Sequence, residues 1–193
     1  MCVNYTDKLK ELNENKDEIK YFVASGIPYY RRLMALKQNN DPRWIDLFKE
    51  FYKIQGLTTT QRDAFFQYFS DHVDFNQVDL NAVLEHCRRN ITNNRRYDLS
   101  FISKLLHTYK PDNFIIYDKF VYRFFSPSGY NNAADLYKIL RDAYNEQHIR
   151  EIADIFNGCF DNLNDICKLK KIDFMIWGWG KWKKFNEQYQ VNQ

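Results

Sequence analysis

The scarcity of helix-breaking residues is the feature that most limits how this chain can fold. Only 6 Gly and 4 Pro occur among its 193 residues. Sandwiches and barrels of β-strands need many tight turns, which are built largely from glycine and proline, so this composition argues against them. The sequence therefore predicts an all-α fold made of several helices joined by short loops.

The clearest predicted helix follows Asp41 and Pro42. Asp41 is suited to cap the helix and Pro42 to occupy its first turn. Apolar side chains follow at positions i, i+3, i+4, i+7 and i+8, a spacing that gives a helix one apolar face. These side chains belong to Trp44, Leu47, Phe48, Phe51 and Tyr52. Similar but weaker patterns predict helices over Asn4–Ser25, Tyr29–Lys37, the segment after Thr58–Thr60, Asp79–Ile91, Leu99–Tyr109, Lys119–Phe125, Ala133–Tyr144, His148–Phe156 and from Asn162 towards Trp177.

Length and composition predict one domain with a core built largely from aromatic rings. The 193 residues fit a single domain, and Phe, Tyr and Trp make up 18% of them. The chain contains no internal repeat and no segment with the composition of a linker. We therefore expect residues 1–193 to form a single compact helical domain, in which two helical subdomains would leave a cleft near residues 92–125.

The cysteines and the N-terminal segment predict a cytoplasmic protein without a metal centre. The segment Met1–Lys20 is charged and lacks the apolar core of a signal peptide, and no apolar run reaches the ~20 residues of a membrane span. No cysteine lies at metal-ligand spacing from another cysteine or a histidine, and no glycine-rich nucleotide-binding motif occurs. We therefore expect a reducing compartment, no membrane association, no metal and no cofactor. The four cysteines are Cys2, Cys87, Cys159 and Cys167.

The segment Leu99–Phe125 carries the pattern that points to chemistry. It predicts a helix that ends at Pro111, an apolar link over Phe114–Tyr117, and a second helix that Asp118 caps. Backbone N–H groups hold a carboxylate in that position in one direction, so it suits stabilising a developing positive charge or orienting a water molecule. An aspartate that only stabilises its own helix explains the same pattern.

This segment resembles the catalytic end of the helix-hairpin-helix DNA glycosylases, including the 8-oxoguanine branch. The resemblance rests on the helix, the link and Ile116-Tyr117-Asp118. In addition, Lys170–Trp177 is similar to the closing helix of small proteins with that fold. The resemblance implies a DNA-binding protein that flips out a damaged or modified base and hydrolyses its N-glycosidic bond. Asp118 matches the aspartate that serves excision in that superfamily.

The hairpin that this resemblance implies would lie at Thr92–Asp98. Hairpins of the superfamily are rich in glycine, because their backbone N–H groups approach a DNA phosphate closely. This segment has no glycine, so phosphate binding would rely on side chains in and before it. A solvated helix face explains the preceding arginines almost as well. The candidate DNA-binding residues are Arg88, Arg89, Asn93, Asn94, Arg95 and Arg96.

Lys104 is the second candidate catalytic residue. Bifunctional members of the superfamily carry a lysine at the start of the helix before the aspartate, where it attacks the sugar and forms a Schiff base. The matching position here is near Ser100, and Lys104 lies about one turn deeper. Lys104 is therefore a candidate nucleophile or electrostatic aid to Asp118. We also expect His107 to be a hydrogen-bonded or surface histidine, and Asp173 to pair with a lysine or a helix end.

Two tryptophans near the C-terminus are candidates for stacking on an extruded base. Trp179 and Trp182 lie beside two glycines, a setting that favours an exposed surface, and aromatic side chains commonly stack on flipped bases. Trp44 and Trp177 are expected to be core residues instead.

Two alternative hypotheses accompany the glycosylase. The first is a catalytically inactive helical module that binds DNA or a protein, and the missing hairpin glycines and the displaced lysine favour it. The second is an all-α protein-interaction domain in which Asp118 is only a cap. The net charge of +3 permits a nucleic-acid partner without requiring one. Salt-dependent DNA binding separates the second from the others, and base release separates the glycosylase from the inactive module.

Overall fold

Short polar side chains set the start of several helices, as the sequence predicts. The computed structural model describes residues 5–93 and 98–190, with the backbone alone at 189 and 190. Thr58 forms a capping box with Gln61, and the carboxylates of Asp79 and Asp118 accept hydrogen bonds from first-turn amides. Because these caps satisfy amides that have no partner inside the helix, they fix where each helix begins.

All regular structure in the described ranges is α-helical, which confirms the predicted all-α class. The predicted helices Leu99–Tyr109, Lys119–Phe125 and Ala133–Tyr144 have the bounds that the sequence pattern indicated. In chain order the helices are α1 (Thr6–Glu14), α2 (Lys16–Ala24), α3 (Gly26–Gln38), α4 (Arg43–Phe51), α5 (Thr59–His72), α6 (Leu80–Asn90), α7 (Leu99–Tyr109), α8 (Lys119–Phe125), α9 (Ala133–Tyr144), α10 (Gln147–Arg150), α11 (Ile152–Cys159) and α12 (Lys168–Gln190).

Other predicted helices have different bounds. The prediction of one helix over Asn4–Ser25 is wrong, because the backbone leaves the helical conformation at Asn15 (φ −110°, ψ 18°). The side-chain amide of Asn15 there donates a hydrogen bond to the Glu11 carbonyl at 2.7 Å. Helix α3 begins at Gly26, three residues before the predicted start at Tyr29. The segment His148–Phe156 is divided between α10 and α11, and α12 begins later and runs further than predicted.

The long C-terminal helix α12 packs against α2, α8 and α11. Two of its glycines lie where neighbouring helices approach most closely. A Cβ atom at Gly178 would lie 2.6 Å from Val23 Cγ2 in α2, and one at Gly180 would lie 2.2 Å from Phe120 Cδ1 in α8. The absence of a side chain at these positions therefore allows α2 and α8 to lie directly on α12.

We expect Gly180→Ala to destabilise the protein by about 1–3 kcal/mol, the usual cost of overpacking a core. The added Cβ would also lie 2.6 Å from Phe120 Cγ and 2.9 Å from its Cβ, so the whole residue would have to move. Gly158→Ala is the matched control, because no atom lies within 4 Å of its added Cβ. That variant should be neutral or more stable by up to about 1 kcal/mol, from helix propensity. Urea unfolding measures both, and equal stability of the two variants would contradict the close packing of α8 on α12.

The core is a single cluster of buried residues from Tyr5 to Trp182, and aromatic rings contribute much of it. Many of these rings meet edge to face. The Trp44 and Phe66 centroids, for example, lie 5.4 Å apart at 78°, an arrangement that suits the ring quadrupoles. This agrees with the aromatic core that the composition predicts. Across the ranges that the structure describes, none of the helices is both long and apolar enough to cross a membrane.

Candidate active site

An extended link, residues 114–117, joins α7 to the cap of α8, and buried side chains hold it in place. The Tyr117 amide donates a hydrogen bond to Ser103 Oγ at 3.0 Å, and the Tyr137 hydroxyl donates to the Ile115 carbonyl at 2.9 Å. Ser103 belongs to α7 and Tyr137 to α9, and both are buried. Because a buried backbone polar group is costly without a partner, these bonds fix the position of the chain just before the cap.

His107 holds the other end of the link. Its Nδ1 lies 2.8 Å from the Phe114 carbonyl oxygen, and its Nε2 lies 3.1 Å from the Tyr30 hydroxyl. A carbonyl oxygen can only accept, so the neutral ring carries its proton on Nδ1 and accepts from Tyr30 through Nε2. Burial, reinforced by the positive charge of Lys170, lowers the pKa of His107 to about 3. His107 is therefore a fully hydrogen-bonded core histidine, as the sequence analysis expected.

The neutral state of His107 predicts a pH-dependent loss of stability. The folded protein keeps this ring neutral down to a pKa of about 3, whereas the unfolded chain takes up the proton near pH 6.5. The unfolded state then binds more protons, so the free energy of unfolding falls as the pH drops below 6.5, by about 2 kcal/mol at pH 5 relative to pH 7. We expect His107→Gln to remove this component from urea unfolding, and His148→Gln, on the exposed α10, to retain it. A His107→Gln profile as steep as that of the wild type would contradict the assignment.

Asp118 presents one carboxylate oxygen to a cleft. Its Oδ1 accepts hydrogen bonds from the amides of Phe120 at 2.8 Å and Val121 at 3.0 Å. Its Oδ2 has no hydrogen-bond partner in the described part of the chain, and the residue is half-buried in the cleft wall. The predicted cap is confirmed, and it holds the carboxylate in one direction while leaving an oxygen for a ligand or a water molecule.

Lys104 lines the same cleft from α7. Its Nζ donates a hydrogen bond to Ser100 Oγ at 2.8 Å, which ties it to the first turn of the helix. Burial lowers the pKa of the Lys104 amine, although the carboxylates of Asp118 and Asp173 oppose this and Lys170 reinforces it. A lowered pKa increases the fraction of neutral amine, which is the nucleophilic form. The two candidate catalytic residues of the sequence analysis therefore share one cleft.

The cleft has a volume of about 850 Å³ and lies between the α4–α5 loop, α7, the link, α8 and α12. Sites for small molecules commonly occupy about 300–1,000 Å³, so the space admits a nucleobase with its sugar. Its lining combines the flat faces of aromatic rings with side chains of both charges. The rings include Phe51, Tyr52, Phe120, Phe174 and Trp177, the lysines are Lys53, Lys104, Lys119, Lys170 and Lys181, and the aspartates are Asp98, Asp118 and Asp173.

A buried ion pair forms part of the cleft wall. Lys170 Nζ lies 2.7 Å from Asp173 Oδ2, and their side chains are only 3% and 7% exposed. The Lys170 ammonium also lies 4.4 Å from the ring centroid of Phe174 and 5.1 Å from that of Phe51. Burial raises the pKa of Asp173, and the charge of Lys170 counteracts the rise. The expectation that Asp173 pairs with a lysine is confirmed, and each of the two buried charges is stabilised by the other.

The expectation that Trp179 and Trp182 lie on an exposed surface is wrong. They are 5% and 8% exposed, and their Nε1 atoms donate hydrogen bonds to Glu11 at 2.8 Å and Glu18 at 2.6 Å. The neighbouring glycines bring α2 and α8 close to α12 and do not expose the indoles. Neither ring lines the cleft, so neither is placed to stack on a base there. Trp177, expected in the core, is half-buried and does line the cleft.

None of the described candidate DNA-binding residues, Arg88, Arg89 and Asn93, lines the cleft. Arg88 and Arg89 both contact Glu85 in α6, at 2.9 Å and 3.2 Å. Asn93 is exposed and has a positive φ of 53°. DNA contact by these residues stays a prediction. Asn94, Arg95 and Arg96 lie outside the described residues.

Several residues of the cleft were not among the candidates predicted from the sequence. Five residues that line the cleft belong to α12 and recur at i, i+3, i+4, i+7 and i+11, which places them on one helical face. Because this face mixes charged and aromatic side chains, it does not form the apolar stripe that marks a packed helix. The spacing of the α12 residues could have indicated that they share a face. In contrast, Lys53 and Lys119 reach the cleft only through tertiary folding. The α12 residues are Lys170, Asp173, Phe174, Trp177 and Lys181.

Comparison with models of protein families, with curated proteins and with solved structures finds no match to this chain. The described residues contain no group of three or more His, Cys, Asp or Glu side chains placed to hold a metal ion. What the cleft can do is therefore inferred from its own geometry and from the segment around Asp118.

Proposed function

We propose that this protein binds DNA and excises a damaged or modified base by hydrolysing its N-glycosidic bond. One observation carries the proposal: Asp118, held by two backbone amides with Oδ2 left without a partner among the described residues, lines the same ring-rich cleft as Lys104. The resemblance of Ile116-Tyr117-Asp118 and its flanking helices to the helix-hairpin-helix DNA glycosylases supports the same activity.

The cleft lining suits an extruded nucleobase. A base that leaves the stack loses contacts on both of its flat faces, and aromatic side chains replace them. Trp177 in α12 and Phe51 at the end of α4 line the cleft and are only half-buried, so their rings offer such faces. The nearby pair of Lys170 and Asp173 supplies a hydrogen-bond donor and an acceptor for the polar edge of a base.

Asp118 would stabilise the charge that develops when the bond breaks. The sugar acquires oxocarbenium character as the C1′–N bond lengthens, and a fixed anion beside it lowers the barrier. The base departs with the bonding electrons and takes up a proton from the solvent. A water molecule adds through its oxygen to C1′, and its proton passes to the Asp118 carboxylate, which acts as general base.

Lys104 offers a second route through a covalent intermediate. In that route the neutral amine forms a bond to C1′ as the base leaves, and the base takes up a proton from the amine. The C1′–O4′ bond then breaks as O4′ takes up a proton from the solvent, so the opened sugar remains attached as a Schiff base. Borohydride reduces such an adduct and leaves the protein covalently bound to the DNA. The hydrogen bond from Lys104 to Ser100 keeps the amine inside the cleft wall, and for this reason we favour direct hydrolysis by water.

Release of free base tests the proposal. The wild-type protein is incubated with duplex and single-stranded DNAs that carry oxidised, alkylated, deaminated or hypermodified bases, and free bases are measured by chromatography and mass spectrometry. We expect release from at least one substrate, without borohydride trapping if water is the nucleophile. Salt-sensitive binding of DNA without release from any substrate would overturn excision in favour of a catalytically inactive DNA-binding module. The absence of binding as well would favour a protein-interaction domain.

A further inference from the structure

Three lysines from separate parts of the chain line the cleft. Lys53 belongs to the loop between α4 and α5, Lys119 is the first residue of α8, and Lys181 lies in α12. Lys53 and Lys119 are exposed, and Lys181 is half-buried. We call this set the rim lysines, and it is distinct from Lys104 and Lys170, which lie deeper.

Two of the rim lysines converge on one aromatic ring. The Nζ atoms of Lys119 and Lys181 lie 5.2 Å and 5.9 Å from the ring centroid of Phe120. Lys181 Nζ also lies 5.2 Å from the ring of Trp177. Cation–π contacts of this length are weak at exposed sites, but they limit the directions that a long side chain explores. Both ammonium groups therefore lie near the same ring of the cleft.

The charge of the rim lysines is not balanced by ion pairs. Within residues 5–93 and 98–190, none of the three takes part in a salt bridge, whereas the deeper Lys170 is paired with Asp173. Burial, followed by repulsion from Lys53, Lys119 and Lys184, lowers the pKa of Lys181, and attraction to Asp118 opposes this. Clustered like charges repel one another, so binding of an external anion relieves an unfavourable interaction.

We propose that the rim lysines bind the DNA phosphates on either side of the nucleotide whose base enters the cleft. This inference rests on the proposed function. Three ammonium groups spread over the edge of one cleft match a chain of regularly spaced anions, and lysine binds phosphate as a point charge. The rings directly beneath them favour a nucleic acid over an acidic protein, because bases stack on aromatic faces. Phosphate binding would thus lie at the cleft, whereas Arg88 and Arg89, which precede the predicted hairpin, already contact Glu85.

The salt dependence of DNA binding tests this inference. Fluorescence anisotropy gives the affinity of the full-length protein for an unmodified labelled duplex and for the corresponding single strand over a series of salt concentrations. The test variant is Lys53→Gln/Lys119→Gln/Lys181→Gln. The control Lys10→Gln/Lys138→Gln/Lys168→Gln removes the same charge from exposed positions outside the cleft. Thermal unfolding of both variants establishes that each remains folded.

We expect the rim variant to lose at least tenfold in affinity, with the slope of log K against log salt reduced by about 0.9 per lost phosphate contact on duplex, or about 0.7 on a single strand. The control variant should keep the wild-type slope. A rim variant with the wild-type slope would overturn the inference, and so would a wild type without salt-dependent binding to either DNA. Preferential binding of polyglutamate through the same lysines would also overturn it and identify an acidic protein partner. Reduced slopes without base release by the wild type would retain the inference and refute excision alone.

Discussion

Asp118→Asn is expected to slow base release by about 10²–10⁴-fold, the range that general acid–base groups contribute. The substitution removes the negative charge but keeps an oxygen that can accept hydrogen bonds. Asparagine serves well as an N-cap, and Asn132 shows this in the same protein, where its Oδ1 accepts from the amides of Ala134 and Asp135, both at 2.9 Å. The start of α8 should therefore keep its geometry while the stabilising charge is lost.

Asp79→Asn is the matched control for this change. Asp79 caps α6 in the same manner, since its Oδ1 accepts from the amides of Asn81 at 2.9 Å and Ala82 at 3.2 Å, but it does not line the cleft. Single-turnover release from a substrate that the wild type processes gives the rate of the chemical step. Both variants should unfold within about 1 kcal/mol of the wild type, because aspartate and asparagine cap similarly. Release by Asp118→Asn at the wild-type rate would exclude the carboxylate from the reaction.

Lys170→Met is expected to destabilise the fold by about 3–5 kcal/mol, the range for breaking a buried ion pair by removing one partner. The substitution leaves Asp173 buried among aromatic rings without its cation. Urea unfolding measures the loss. Lys20→Met is the control, because the Lys20–Asp17 pair at 3.1 Å is largely solvent-exposed and should contribute no more than about 1 kcal/mol. The double variant Lys170→Met/Asp173→Leu should recover most of the stability, since neither charge of the buried pair remains.

The pH dependence of Lys170→Met provides a second readout. Burial already raises the pKa of Asp173, and the charge of Lys170 opposes that rise, so its removal raises the pKa further. A carboxyl whose folded pKa exceeds its unfolded value stabilises the fold at low pH and loses this contribution as the pH rises. The variant should therefore be closer to the wild type near pH 4 than near pH 7. An equal loss of stability at both pH values would indicate that lost packing, and not the unpaired charge, is responsible.

The elements that were predicted well are those with local signals at both ends. The helix before the link is followed by Pro111. The next helix is capped by Asp118, whose side chain accepts hydrogen bonds from amides of the first turn. Such signals lie within a few residues of the boundary that they set. For the same reason the cap that places the candidate carboxylate could be predicted from a short stretch of sequence.

The elements that were predicted poorly depend on contacts between distant parts of the chain. Trp179 and Trp182 are buried, and their indole N–H groups donate hydrogen bonds to Glu11 and Glu18. No local sequence pattern links the tryptophans to these glutamates. The break at Asn15 lies between those two glutamates, in a stretch whose loose apolar stripe suggested one continuous helix. The rim lysines likewise share a surface only after the chain has folded, so the sequence did not distinguish them from other solvated lysines.

Substitutions at the residues that hold the extended link would also affect the placement of Asp118. Ser103, His107 and Tyr137 hold its backbone, yet none of the three lines the cleft. Asp118 follows directly at the end of this segment, so its placement depends on residues outside the cleft. Under the proposed function, genetic variation at these three positions would therefore produce proteins that bind DNA normally and fail at chemistry, a phenotype that a survey of the cleft surface alone would not anticipate.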